Sequence, residues 1–224
     1  MSDTGKIFTG LGGRFLTPDQ EIREKYSKIK VLVFDWDGVF NDGFKHHESG
    51  SLFSETDSMG LNLLRFNYYT AHQKLVNTFI VTGLNNTMAV KFAEREHFNG
   101  IYLNYKFKEE AFEEIGKQTG CGFDEMAFVF DDVLDFGMAG KCGLSFFIPR
   151  KAAPLTENYV LEKSLADYIT AHEGSEYAVR EICELLIGLA GNFNETVENR
   201  IRFKGLYEEY FQKRNSINTL VFIK

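Results

Sequence analysis

The chain alternates short apolar runs with longer stretches in which apolar residues recur every three or four positions. Apolar runs lie at 31–34, 75–81, 101–103, 126–130 and 144–148. Runs of this length, without a regular polar partner position, predict strands buried on both faces. Between them the spacing is helical. Ile22 and Tyr26 share a face within 18–28, and Leu61, Leu64, Tyr68 and Ala71 share one after residue 60. Asn86 is placed to cap a helix over 87–97, and a further helix is predicted at 108–118. The stretch 175–189 is strongly amphipathic, with Ala178, Ile182, Leu185, Leu186 and Leu189 inward. Strands alternating with helices predict an α/β domain around a mostly parallel sheet.

Three segments do not follow this rhythm. Residues 1–17 are Gly-rich and lack periodicity, which predicts a loosely held arm before the short helix. Residues 44–53 form two short arms around Glu48-Ser49-Gly50, a β-hairpin signal with Lys45, His46 and His47 on the first arm. These three suit contact with an anionic substrate or a neighbouring subunit, and equally a solvated edge strand. Residues 192–214 predict one extra helix with a broken apolar stripe: Val197, Ile201, Leu206, Tyr207, Tyr210 and Phe211. The end, INTLVFIK, reads as a strand or a docking tail. The resulting division is an arm and short helix at 1–29, a core at 30–190 and a C-terminal helical extension at 191–224.

Composition narrows the classes. A chain of 224 residues that is 44% hydrophobic can bury one sizeable core. A net charge of −7 argues against a nucleic-acid partner. It leaves an anionic small molecule open, because a bound metal reverses the local field. Cys121, Cys142 and Cys183 are far apart with no CxxC, as expected of free thiols in a reducing cytoplasm. The first residues carry no basic-then-apolar leader, and no apolar run is long enough to span a membrane. A cytoplasmic protein without a membrane partner is the expectation.

The polar residues that close the apolar runs carry the chemistry. The run at 31–34 ends in Asp35-Trp36-Asp37-Gly38. In an open α/β sheet, ligands bind at the carboxyl ends of strands. Asp35 and Asp37 are two apart and share a face on an ideal strand. An Asp-Gly turn alone would explain the pair. The run at 75–81 ends in Thr82-Gly83, a hydroxyl donor followed by a residue that lets backbone N–H groups approach a phosphate. The run at 126–130 ends in Asp131-Asp132, with Asp135 three residues on. Carboxylates gathered from two strand ends cost energy unless a cation compensates, which points to one Mg²⁺ site of oxygen ligands.

VLVFDWDGVFNDG at 31–43, FSETDSMG at 53–60, Thr82-Gly83, Lys108 opening its helix, Asp131-Asp132, ADYI at 166–169 and AVREICE at 178–184 occur in that order. Together they resemble the haloacid dehalogenase superfamily. They are most similar to its branch without a large cap domain, which includes phosphatases of 3-deoxy-D-manno-octulosonate 8-phosphate and of sialic-acid-type 9-phosphates. The resemblance spans about 30–190. It implies a Rossmann-like three-layer sandwich with a central mostly parallel sheet, a β-hairpin flap and no large cap. It implies a Mg²⁺-dependent phosphatase of a small phosphorylated sugar acid. Asp35 would be the nucleophile and Asp37 the general acid and base. Mg²⁺ would be held by Asp35, the backbone carbonyl of Asp37, and Asp131, with Asp132 and Asp135 orienting the ligands and Lys108. Thr82, Gly83 and Lys108 would hold the phosphoryl group. Asp57, otherwise a helix cap, and Arg180 would position substrate. The branch further implies a homotetramer, with Tyr177, Arg180, His46 and His47 as candidate contacts.

Three positions depart from the family pattern. Phe130 stands where the family has glycine, which predicts crowding of the metal loop. Leu84 replaces a polar residue, and the late glycine-rich loop is reduced to Gly174-Ser175-Glu176-Tyr177. Two other readings follow from the same resemblance. One is a catalytically weak or inactive oligomerisation module related to the C-terminal domain of CMP-sialic acid synthetase. The other is a phosphotransferase such as a mutase. The complete set of Asp35, Asp37, Thr82, Lys108 and Asp131 favours the phosphatase, and the lack of a large insertion counts against a capped mutase.

Overall fold

The computed structural model describes residues 1–47 and 50–224. Its centre is a sheet of eight strands: β1 (Arg14–Phe15), β2 (Val31–Phe34), β3 (Asn77–Val81), β4 (Gly100–Leu103), β5 (Met126–Phe130), β6 (Leu144–Phe147), β7 (Tyr168–Ile169) and β8 (Leu220–Ile223). The spatial order is β1-β7-β6-β5-β2-β3-β4-β8. Every pairing is parallel except β1 with β7. From β2 the chain winds outward through β3 and β4. It then returns to the far side of β2 and winds the other way through β5, β6 and β7. The reversal leaves a crevice at the carboxyl ends of β2 and β5, where such sheets bind ligands.

Successive residues of β2 enter different cores, which is why no polar position interrupts the strand. Leu32 and Phe34 belong to one apolar cluster and Val31 and Val33 to the other. The first cluster is covered by α2 (Asp19–Tyr26), α3 (Glu55–His72), α4 (Thr87–Arg95) and α8 (Ala178–Ala190). The second is covered by α5 (Lys108–Thr119), α6 (Phe136–Ala139) and α7 (Pro154–Lys163). This is the α/β architecture expected from the run pattern, in the three-layer form that the resemblance implied. Among the described residues no cap domain is inserted after β2 or β3, and no helix is long and apolar enough to cross a membrane.

Local signals worked where they were strong. Asn86 caps α4, its side chain accepting from Met88 N at 3.0 Å and Ala89 N at 3.2 Å. Other expectations need correction. The N-terminal arm is a helix, α1 (Asp3–Leu11), capped by Ser2 and closed by Gly12 at φ 115°. It docks on α8, where Gly188 leaves room for Thr4, and Phe8 enters the first cluster. One buried apolar residue is too little periodicity to reveal such a helix. Ala71, assigned to the inner face of α3, is exposed.

The C-terminal extension is two helices and a strand rather than one helix. Phe203 and Gly205, at φ 48° and 62°, break it into α9 (Phe193–Arg202) and α10 (Leu206–Asn215). Tyr207 and Tyr210 form a third small core with Phe66 and Tyr69 on the outer side of α3, whereas Ile201 is exposed. The last segment is β8, paired in parallel with β4. Among the described residues, the expected hairpin shows one bridge, between His46 and Gly50. Two residues of its expected turn, Glu48 and Ser49, lie outside the described residues.

Candidate active site

The register of the sheet brings the chemistry together. Phe34 pairs with Ile80 and Val129, so Asp35, Thr82 and Asp131 leave the sheet within one residue of the same level. Asp35 N donates to Val129 O at 3.0 Å and Thr82 N to Tyr102 O at 2.9 Å, which holds both residues at their strand ends. Asp35, Asp131 and Asp135 are buried, and their nearest carboxylate oxygens lie within 4.8 Å of one another. Lys108, the first residue of α5, is also buried and pairs with both Asp35 and Asp135. These residues, with Thr82, Gly83 and Leu84, line a cleft of about 350 Å³.

Burial dominates the electrostatics. It pushes the Asp35 carboxyl well above the usual range, against the nearby Lys108 cation, while Asp135 and Asp131 push the same way. Burial also pushes Asp131 up, to about 7, against a hydrogen bond from Arg150. For Lys108, burial opposes the charge, but Asp135 and Asp35 outweigh it and raise the ammonium above its ordinary value. Buried like charges of this kind call for a cation, and three hard oxygen donors fit a divalent ion of the Mg²⁺ class.

Asp37 is half-buried and stands apart from the acidic trio. Its Oδ1 accepts from Ser51 Oγ at 2.5 Å and its Oδ2 pairs with Lys45. The two segments flanking the His46–Gly50 bridge thus both grip this carboxylate. The Asp132 side chain does not reach Lys108. It is exposed and accepts from Val133 N at 2.7 Å, capping the short turn that carries Asp135 inward. Asp135, to which the resemblance assigns the orienting of the ligands and Lys108, pairs with Lys108 and lies within the trio.

Asp57 and Arg180 meet each other but do not line the cleft. Asp57 does not cap its own helix, a task taken by Ser54. Its Oδ1 accepts from Arg180 N at 2.9 Å and so caps α8 across the layer, and burial pushes its carboxyl up to about 7. The Arg180 guanidinium turns to Glu184 at 2.6 Å. Phe130 does not crowd the site. Its ring points into the second core, 5.5 Å from Phe128 and 5.4 Å from Phe147 between centroids. Leu84 is exposed at the cleft. Gly174, the remaining glycine of the late loop, is a close-approach residue, because a Cβ there would lie 2.1 Å from Gly38 O. His46 and Lys45 line a second cavity of about 470 Å³, which shares Asp42 with the cleft and reaches Gly174 and Ser175.

Sequence reasoning missed Arg150 and Ser51. Arg150 follows β6 and reaches Asp131 Oδ2 with Nη2 at 2.7 Å and Nε at 3.0 Å. The only available signal was its place just past a strand's carboxyl end. Ser51 carried none.

No family model matches the chain. Among solved structures, a Legionella pneumophila chain described as a HAD superfamily (subfamily III A) hydrolase has TM-score 0.66 and 25% identity, over 90% of this chain and 100% of that one. The 3-deoxy-D-manno-octulosonate 8-phosphate phosphatase from Moraxella catarrhalis, in complex with magnesium ion, phosphate ion and KDO, has TM-score 0.66 and 26% identity, over 81% of this chain and 98% of that one. With the fold and the acidic cleft, these place the chain as a phosphoric monoester hydrolase of the haloacid dehalogenase type. Among sequence relatives, the chain is 27% identical over 191 residues to the 3-deoxy-D-manno-octulosonate 8-phosphate phosphatase KdsC of Yersinia pestis, covering 84% of this chain and 92% of that protein.

Proposed function

We propose that the chain is a Mg²⁺-dependent phosphatase of a small phosphorylated sugar acid, of the 3-deoxy-octulosonate 8-phosphate or acylneuraminate 9-phosphate type. The observation that carries this reading is the buried trio of Asp35, Asp131 and Asp135 with Lys108, at the carboxyl ends of two adjacent parallel strands and beside Thr82. The relatives named KdsC supply the substrate class.

In this reading Asp35 attacks phosphorus through a carboxylate oxygen, and the ester P–O bond breaks. Asp37 gives its proton to the departing sugar oxygen. Asp37 then takes a proton from the water that attacks the aspartyl-phosphate, releasing inorganic phosphate and restoring Asp35. Ser51 and Lys45 hold Asp37 at the same cleft, outside the trio. Thr82, Gly83 and Lys108 hold the phosphoryl oxygens. Mg²⁺ would be held by Asp35, Asp131 and the backbone carbonyl of Asp37, and would neutralise phosphoryl charge. Residues 30–190 form the catalytic core, the protein is cytoplasmic, and a homotetramer roofs the cleft with a neighbouring subunit.

The test is phosphate release from a panel of phosphorylated sugar acids with Mg²⁺. Turnover should vanish with EDTA and in Asp35→Asn, and fall by about 10²–10⁴-fold in Asp37→Asn. Full activity in Asp35→Asn would overturn the mechanism. A folded oligomer without turnover on any substrate would favour the assembly-module reading.

A further inference from the structure

The acidic trio comes with two cations of different character. Lys108 is 4% exposed and held between Asp35 and Asp135. Arg150 is held by Asp131, but 36% of its side chain faces solvent at the cleft. Both of its bonds to the carboxylate fall on Oδ2, and a third, from Nη1 to Asp42 O at 3.4 Å, ties it to the loop after β2. That loop makes room for it. A Cβ at Gly38, where φ is +88°, would lie 2.0 Å from Asp131 Oδ2 and 2.1 Å from Arg150 Nη2. The pairing thus depends on a glycine in the loop that carries Asp37.

We propose that Arg150 is a resident cation of the site that competes with the divalent ion for Asp131, so that this arginine sets how readily the cleft takes up metal. The inference rests on the reading of the trio as a metal site. With all three carboxylates ionised, Lys108 and Arg150 together leave a formal charge of −1, where Lys108 alone would leave −2. An arriving ion therefore meets a weaker field and a carboxylate already engaged by a charged fork. Of the two cations, only Arg150 can yield. Its guanidinium is partly hydrated already, whereas Lys108 would have to leave a buried double pair.

The test measures binding of Mn²⁺ alone to the full chain, by electron paramagnetic resonance of the free ion, with Mg²⁺ titrations by calorimetry beside it. Arg150→Ala and Arg150→Gln are compared with the wild type after circular dichroism shows that each is folded. The glutamine variant keeps a neutral hydrogen-bond donor and serves if the alanine variant does not fold. Both substitutions should tighten Mn²⁺ by about tenfold or more. In the wild type, the Arg150 Nε–H resonance should shift as Mg²⁺ is added, a readout that needs no variant to fold. Equal affinity in all forms, or an Arg150 resonance unmoved by bound metal, would overturn the inference and leave the phosphatase reading standing. Weaker binding in the variants would overturn it in favour of an Arg150 that orients Asp131. No Mn²⁺ binding in any form would remove the metal site and the inference with it.

Discussion

Replacing Lys108 with methionine keeps most of the side-chain volume and removes the charge. The ammonium is buried, paired with Asp35 and Asp135, and lies 5.7 Å from the centroid of the Phe128 ring. Methionine can keep the contact with that ring, so the change isolates the electrostatic loss. Removing one partner of a buried pair costs about 3–5 kcal/mol, because the carboxylates left behind are neither hydrated nor compensated. At about 2–4 °C per kcal/mol for a chain of this size, the melting temperature should fall by roughly 6–20 °C at pH 8 in EDTA.

The pH dependence gives the sharper test. Asp35 and Asp131 are raised above their ordinary values by burial, so the folded state binds protons that the unfolded state has released. Stability from such groups is present at low pH and is lost as pH rises through the folded-state values. Without the ammonium these carboxylates shift further in the same direction, and a proton can take its place. The deficit of Lys108→Met should therefore be full at pH 8 and less than half as large at pH 5. Urea unfolding followed by Trp36 fluorescence is the assay. Trp36 is the one tryptophan, is fully buried, and lies one residue from Asp35. A variant as stable as the wild type at pH 8, or one with the same deficit at both pH values, would refute the argument that Lys108 balances the buried carboxylates.

Asp57, with its carboxyl pushed up to about 7 by burial, should cost stability as pH rises from about 4 to about 7. Asp57→Asn keeps an oxygen for Arg180 N and cannot ionise, so it should match the wild type near pH 4 and be about 2–4 kcal/mol more stable than it at pH 8.5. Urea titrations at the two pH values check both halves. Tyr210 is fully buried, with its ring centroid 5.4 Å from that of Phe66 on the outer side of α3. Tyr210→Ala should cost about 3–5 kcal/mol and leave phosphate release per folded molecule unchanged, and a selective loss of activity would show that the extension reaches the site. Light scattering at micromolar concentration should report a tetramer, whereas a fully active monomer would mean that the cleft is closed by other means.

The sequence by itself determined the strands of the core and what stands at their ends. An apolar run buried on both faces is a local property, and a polar residue closing it must lie where the strand leaves the sheet. That is why Asp35, Thr82 and Asp131 were legible, and why the register then brought them level. Asn86 was legible for the same reason, since a cap acts within its own turn. Only the tertiary structure decided which side chains pair. Lys108 reaches Asp35 across 73 positions, and Asp57 caps a helix 123 positions away. Arg150 finds Asp131, and Ser51 finds Asp37, with no periodicity to announce either. The same holds for α1 and β8. Each is too short to bury a face alone and takes its place only because the finished core offers a surface or a sheet edge to dock on. Pairing and docking energies depend on burial, and burial of residues far apart in sequence is created only when the sheet and its two layers close around them.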